Sequence, residues 1–165
     1  MELIQVTDSR IYSLIVLYDL HTGFFSRAID GISEDDAHNR MNTKANHTAW
    51  LTGSLVEQRF EIAKGVGIDK TQAAHEHFKD NKGIQDNTRY PLLQDFKTDW
   101  ETISPLLRTA LIGANEEKLN KEIDMGGHKM TFFELLSFLV YREANIIGQI
   151  ALWRRLLGYD AMKYM

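Results

Sequence analysis

Apolar residues recur every three or four positions along most of this chain, and this spacing limits the possible fold more than any other feature of the sequence. Such spacing gathers apolar side chains on one face of a helix, whereas a strand would need them at alternate positions. Runs of β-branched residues are sparse, and the chain has only two prolines. We therefore predict an all-α protein with four long amphipathic helices.

Residues that commonly cap helices set the limits of the first two long helices. The first is expected to begin after Asp8 and to stop near Gly31. Ser33, followed three residues later by Asp36, predicts a short helix of one or two turns. The second long helix is expected over about residues 45–65, with the glycine at its end as the C-terminal stop.

A long polar connection over residues 65–90 separates the second and third long helices. Asp69 followed by Gln72 predicts a short helix inside it. A connection of this length allows the chain to return along the molecule, so the second and third long helices can run parallel to each other.

The third long helix is expected to follow Pro91, because proline suits a first helical turn. A proline inside a helix removes one backbone hydrogen bond and crowds the preceding turn. Pro105 therefore predicts a kink near Ser104, or a helix in two pieces.

Two consecutive glycines at 126–127 predict the turn before the last helix. Thr131 and Glu134 have the spacing of a capping box, and Gly158 is the expected stop. Four amphipathic helices of comparable length bury their apolar faces most simply as a four-helix bundle, so residues 1–165 are predicted to form one domain.

The charge balance, the length of the apolar runs and the lack of cysteine limit the possible partners and the cellular compartment. The chain has 19 Lys and Arg against 23 Asp and Glu, and neither sign is concentrated in one segment. Without a basic face we expect no nucleic-acid partner. The apolar runs are shorter than a membrane span, and the N-terminus does not resemble a signal peptide. With no cysteine in the sequence, we expect a cytoplasmic protein.

Two stretches of the sequence resemble the DinB-like superfamily of bacterial proteins. They are NHTAWLTGSL at 46–55 and REANIIGQIALWRRLLGYDAMKY at 142–164, and the acidic segment GISEDDAHNR fits the same layout. The resemblance spans nearly the whole chain. It implies a four-helix bundle with up-down-down-up topology and a long connection between the second and third helices.

Many members of that family bind a divalent metal such as zinc or nickel through three histidines. The resemblance puts Ser54, Arg142 and Ile146 at the three ligand positions. Isoleucine has no lone pair to offer, arginine repels a cation, and serine alone is a poor ligand. We therefore predict that the family's metal site is lost and that the protein has no metal cofactor.

A guanidinium on an otherwise apolar helix face needs partners, because an unpaired buried charge costs several kcal/mol. The candidate carboxylates for Arg142 are Glu57, Glu61 and Glu143, and the neutral acceptors are Asn145 and Gln149. One hypothesis is a structural polar cluster that replaces the metal between two helices. The other is a pocket in which Arg142 binds the carboxylate or phosphate of a small ligand.

The residues predicted to line this pocket lie on the second and last long helices. They are His47, Trp50, Ser54, Arg142, Glu143, Ile146, Gln149 and Trp153. The first functional hypothesis is a metal-free, homodimeric protein that binds a small molecule or has a structural role, with the last helix as the dimer contact. The second is a transferase or hydrolase, similar to the family's thiol transferases, that uses a rearranged site.

The remaining histidines suggest no separate site. His75 and His77 are two residues apart, which places them on different sides of a helix. His21, His38 and His128 have no partner at ligand spacing and are expected at the surface. A displaced metal site built from His47 with Glu57 or Glu61 is a further alternative.

Overall fold

The computed structural model describes residues 4–124 and 126–164, and this part of the chain is mostly helical, as the apolar spacing predicted. The elements in chain order are a 3-10 turn Ser9–Ile11, α1 Tyr12–Ile29, α2 Glu34–Ala37, α3 Thr48–Gly65, 3-10 turns His75–His77 and Lys79–Asn81, α4 Leu93–Ile112, α5 Glu116–Asn120, β1 Glu122–Asp124, β2 Lys129–Thr131 and α6 Phe132–Leu156.

Local capping explains where three of these elements begin. The Asp8 side chain accepts a hydrogen bond from the backbone N–H of Arg10, at the turn that leads into α1. Ser33 does the same for α2 through the N–H of Asp36. Thr131 and Glu134 form the predicted capping box of α6.

The glycines that end α3 and α6 occupy the same position in the same motif. Gly67 follows α3 with a φ of +92°, and Gly158 follows α6 with a φ of +91°. In both, the next residue donates its N–H to a carbonyl of the last turn, Ile68 to Ala63 and Tyr159 to Arg154. The prediction of Gly158 is confirmed, but the left-handed residue after α3 is Gly67 and not Gly65.

The connection between α3 and α4 differs from the prediction. It contains the two short 3-10 turns over 75–81 and no helix starting at Asp69. Gln72, expected in the first turn of that helix, is instead buried and donates a hydrogen bond to the side chain of Glu57. A tertiary contact therefore replaced the local capping pattern.

Helix α4 runs unbroken through Pro105, so the prediction of two pieces is wrong, while a kink near Ser104 stays a prediction. Pro91 lies before the helix and not in its first turn. The first N–H of the helix, that of Leu93, donates to Oε1 of Glu34 at 3.0 Å. The short α2 therefore caps the start of α4.

The two-stranded antiparallel sheet of β1 and β2 was not predicted. Its register pairs Glu122 with Thr131 and Asp124 with Lys129. Gly126 and Gly127 lie between the strands, both with positive φ, which confirms the predicted turn. Three-residue strands carry too short a pattern to be distinguished from a loop.

Each of the four long helices contacts two of the others. Helix α1 packs against α6 and α4, and α3 packs against α4 and α6. Their inner faces form one cluster of buried apolar side chains, and Trp100 and Phe25 stack near its centre with ring centroids 4.1 Å apart. This packing places one wall of a cleft on α3 and the opposite wall on α6.

Helix α6 is the one helix in the described ranges that is long and apolar enough to cross a membrane by length and composition. A core helix of a globular protein meets the same criterion. Here α6 packs against α1 and α3, and its Glu143 is buried in an ion pair with Arg59.

Candidate functional site

A cleft of ≈ 300 Å³ lies between α3 and α6 and is bordered by the connection that follows α3. Its lining combines an apolar wall with charged and polar side chains from both helices. The lining residues are Trp50, Ser54, Glu57, Gln58, Glu61, Phe78, Asn81, Lys82, Leu135, Phe138, Leu139 and Arg142.

Arg142 crosses from α6 to α3 and lines this cleft. It donates to Oε1 of Gln58 and to Oγ of Ser54, both at 2.6 Å. These acceptors are neutral and lie four residues apart on one face of α3. The expected carboxylate partners are therefore wrong, because none of Glu57, Glu61 and Glu143 accepts a hydrogen bond from Arg142.

The surroundings of Arg142 disfavour its charge. Burial lowers the pKa of the guanidinium, and the attraction of Glu61 and Glu143 offsets this only in part. Arginine has five N–H donors, and Arg142 uses two of them on acceptors among the described residues. The cleft thus contains a half-buried cation with neutral partners and unused donors.

Trp50, which lines the cleft, has an unsatisfied donor of its own. Its Nε1 is buried and has no hydrogen-bond partner among the described residues. Leaving a buried donor unsatisfied costs about 1–3 kcal/mol, so such groups call for a reason. Trp50 precedes Ser54 by one helical turn, which places the indole next to the position that Arg142 contacts.

Glu57 anchors the connection to α3 from inside the cleft. Its Oε1 lies 2.5 Å from Nδ1 of His75, and its Oε2 accepts from Nε2 of Gln72 at 2.6 Å. Glu61, one turn later, makes no ion pair within the described part of the chain. Glu61 is exposed, yet desolvation by the surrounding protein and the negative charge of Glu57 raise its pKa.

Glycine is required where the connection crosses α3. A Cβ on Gly53 would lie 2.2 Å from Cζ of Phe78 and 2.7 Å from Cε1 of Phe96, and both rings are buried. The close approach thus occurs at Gly53, while the next residue, Ser54, serves as an acceptor for Arg142.

The eight residues predicted for the pocket do not meet at one place. Trp50, Ser54 and Arg142 line the cleft, and the other five lie elsewhere. Ile146 is buried in the core, Gln149 is exposed and donates to Asn145, and Trp153 donates its Nε1 to the backbone oxygen of Asn46.

His47, another of the eight, is the N-cap of α3. Its Nδ1 accepts from the backbone N–H of Trp50 at 3.2 Å. Burial, followed by the nearby charges of His38 and Arg40, lowers the pKa of His47 to about 4. The neutral imidazole that results is the form able to accept this hydrogen bond.

Glu143, the last of the eight, belongs to a cluster centred on Arg59, which the sequence analysis missed. The Arg59 guanidinium is fully buried and donates to both carboxylate oxygens of Glu143, at 2.7 and 2.9 Å. It also donates to the hydroxyls of Thr22 and Ser104. These residues lie on α1, α3, α4 and α6, so one side chain joins all four long helices.

Aromatic rings and a histidine complete this cluster. The guanidinium carbon of Arg59 lies 3.4 Å from the Trp100 ring centroid and 3.8 Å from that of Tyr18. His21 is buried with Nδ1 3.2 Å from Glu143, so its expected surface position is wrong. Burial pushes the pKa of Glu143 up, but Arg59 and His21 outweigh it, and the pKa is lowered.

A weak signal for Arg59 exists in the sequence. In the segment LVEQRFEIA, the residues three and four positions before and after Arg59 are all apolar, which puts Arg59 on an apolar face of the helix. Which neighbouring helices cover that face can be assigned only from the tertiary structure. In the described ranges, no group of three or more His, Cys, Asp or Glu residues has the arrangement of a metal site.

Compared with protein family models, with curated proteins and with solved structures, the chain matches none of them. The relationship to the DinB-like superfamily therefore stays a prediction from the two motifs.

Proposed function

We propose that the chain is a DinB-like four-helix bundle with up-down-down-up topology. The order of the contacts between its helices supports this proposal. Along α1 and α6, His21 meets Glu143 and Ala28 meets Arg154, an order that requires parallel helices. Along α3 and α6, Arg142 meets Ser54 while Phe132 approaches Gly65, an order that requires antiparallel helices.

The contacts of α4 agree with that arrangement. Tyr18 bonds to the backbone of Ser104, while Trp100 bonds to the backbone of Thr22 further along α1, so these helices run in opposite directions. Against α3, Phe96 lies beside Gly53 and Ser104 beside Arg59, the order of parallel helices. This order supports a parallel direction for the second and third long helices, which is what their long connection allows.

For the function, we propose a metal-free member of that superfamily that binds a small anionic molecule in the cleft. The observation that carries the proposal is Arg142, whose charge is disfavoured by its surroundings and whose protein partners are both neutral. A cation that costs stability and keeps donors free is typical of a binding residue. The unsatisfied Nε1 of Trp50 supplies a further donor nearby.

Calorimetric titration with 4-methylpentanoate and with 3-methylbutyl phosphate tests this proposal. Arg142→Met should weaken binding about tenfold or more, because a charge-assisted hydrogen bond is lost. Arg155→Met, an exposed arginine on the same helix, is the matched control and should leave binding unchanged. Equal binding by Arg142→Met, or no binding of either compound at millimolar concentration, would overturn the proposal.

Elemental analysis of protein purified without a histidine tag tests the metal-free part separately. We expect far less than one metal per chain, with no uptake of zinc or nickel at micromolar concentration. Near-stoichiometric metal would contradict the loss of the site and would favour a displaced one.

We also propose a homodimer formed through α6 and the adjoining face of α1. Tyr141, Leu152 and Leu156 on α6 are 65%, 58% and 54% exposed, and Val16 and Leu20 of α1 are exposed as well. Large apolar side chains concentrated on neighbouring helices are typical of a protein contact. A 19 kDa species at all concentrations in sedimentation would refute the dimer.

An enzymatic alternative, a transferase or hydrolase, is supported by the Glu57–His75 pair. A carboxylate at Nδ1 orients the imidazole and leaves Nε2 available as a base. If the pair is catalytic, hydrolysis of p-nitrophenyl acetate by the wild type should exceed that by His75→Asn, whereas equal rates would count against it. The cytoplasm is the proposed location for both functions, since the sequence has no cysteine.

A further inference from the structure

Two opposite charges line the cleft without pairing with each other. Arg142 bonds only to neutral acceptors on α3, and Glu61 makes no ion pair among the residues that the structure describes. Arg142 is half-buried, whereas Glu61 is exposed at the border of the cleft. A partly buried cation usually pairs with a carboxylate within reach, because its charge is costly alone. In this protein, Arg142 and Glu61 both border the space between α3 and α6.

The register along α3 sets the distance between these two charges. Arg142 is held at the level of Ser54 and Gln58, and Glu61 follows Gln58 by three residues on the same face. At 1.5 Å per residue, Glu61 lies roughly 5–10 Å beyond the guanidinium along the helix axis. An ammonium and a carboxylate on one carbon, with a hydrogen bond of about 2.9 Å at each end, span a distance of that order.

The wall that α6 contributes is apolar apart from Arg142, and the connection adds an aromatic ring beside the polar Asn81 and Lys82. Leu135, Phe138 and Leu139 come from α6, and Phe78 faces them from the connection. The cleft volume of ≈ 300 Å³ lies at the lower end of the range for small-molecule sites. Such a space suits a molecule the size of an amino acid with an apolar side chain, and it is small for a nucleotide.

We propose that the cleft recognises both ends of a small zwitterion, an α-amino acid with an apolar side chain or a molecule of the same chemistry. Arg142 binds its carboxylate, Glu61 binds its ammonium group, and the apolar wall of α6 packs against its side chain. This inference rests on the proposed function, since the carboxylate end is the anion already assigned to Arg142.

Three ligands that share one branched side chain test the inference. Leucine carries both charges, 4-methylpentanoate lacks the ammonium group, and 3-methylbutylamine lacks the carboxylate. Binding to the full chain is measured by calorimetry at pH 7. The same comparison with phenylalanine, 3-phenylpropanoate and 2-phenylethylamine removes dependence on one side chain.

Glu61→Gln is the informative variant, and Glu101→Gln, an exposed carboxylate on α4, is its matched control. We expect the wild type to bind the amino acid about tenfold more tightly than the matched carboxylate, as expected for one added charged hydrogen bond. Glu61→Gln should abolish that difference and leave the carboxylate's affinity unchanged, while Glu101→Gln should change neither.

The two proposals fail in different ways. Equal affinity for the amino acid and the matched carboxylate in both sets, unchanged in Glu61→Gln, overturns the zwitterion and leaves the anion site in place. Binding that Arg142→Met does not weaken, or no binding of any of the six compounds, overturns the anion site and the zwitterion with it.

Discussion

Arg59 and Arg142 both extend from one helix toward a neighbouring one, yet their surroundings differ in almost every respect. Arg59 is fully buried, pairs with the Glu143 carboxylate and lies between two aromatic rings. Arg142 is half-buried, contacts two neutral acceptors and borders the cleft. The protein pairs the charge of Arg59 with a carboxylate, whereas it gives Arg142 only neutral acceptors.

The difference matches a structural role for Arg59 and the binding role proposed for Arg142. A buried guanidinium whose donors and charge are satisfied holds the helices together and has little left to offer a ligand. A guanidinium with unused donors beside a cleft gains partners only when something binds there. The same residue type therefore marks the scaffold at position 59 and the candidate site at position 142.

The largest expected effect on stability comes from removing the guanidinium of Arg59. Arg59→Met leaves Glu143 and His21 buried without their cation, and breaking such a pair costs about 3–5 kcal/mol. Urea unfolding followed by circular dichroism should show this loss in the free energy of unfolding. A loss no larger than that of Arg142→Met would erase the distinction between the two arginines.

A smaller effect is expected when the pH is lowered, through His47. Its pKa in the folded protein, about 4, lies below its ordinary value of 6.5, so the unfolded chain binds the proton more readily. The stabilisation from neutral His47 is complete above pH 6.5 and is lost as the pH falls toward 4. On the order of 1–2 kcal/mol should disappear between pH 7 and pH 5.

His47→Asn separates this titration from the capping role, because asparagine caps helices without gaining a proton in that range. The variant should fold at pH 7 and lose less stability at pH 5 than the wild type does, as measured by urea unfolding at both values. Identical pH dependence of the two proteins would show that His47 is not the group responsible.

The smallest effect on stability is expected at Arg142. Because burial lowers its pKa, the folded state disfavours its charge, and methionine removes that penalty together with two hydrogen bonds. The free energy of unfolding of Arg142→Met should stay within about 1 kcal/mol of the wild type. A loss of several kcal/mol would show that Arg142 is a structural pin between α3 and α6.

Much of the fold followed from patterns that act over a few residues. The apolar spacing located α1, α3, α4 and α6, and the Thr131 and Gly158 caps located the limits of α6. Capping and amphipathicity depend on neighbours within one or two turns, so they are visible in the sequence. The prediction of a short helix at Asp69 was wrong because the side chain of Gln72 donates a hydrogen bond to Glu57 on α3 instead.

The candidate site was predictable only in part for the same reason. The sequence singled out Trp50, Ser54 and Arg142, which do line one cleft. The sequence could not assign partners to the charged side chains. Arg59 pairs with Glu143, which is 84 residues away in the chain, although Glu57 and Glu61 lie much closer in the sequence.

The sequence by itself determined the helical class, the main helix limits and the presence of serine, arginine and isoleucine where the resemblance expects metal ligands. Only the tertiary structure decided that Glu143 pairs with Arg59 and leaves Arg142 to neutral acceptors. The physical reason is that a buried charge is stabilised by whichever groups the packing of distant helices brings within hydrogen-bond distance.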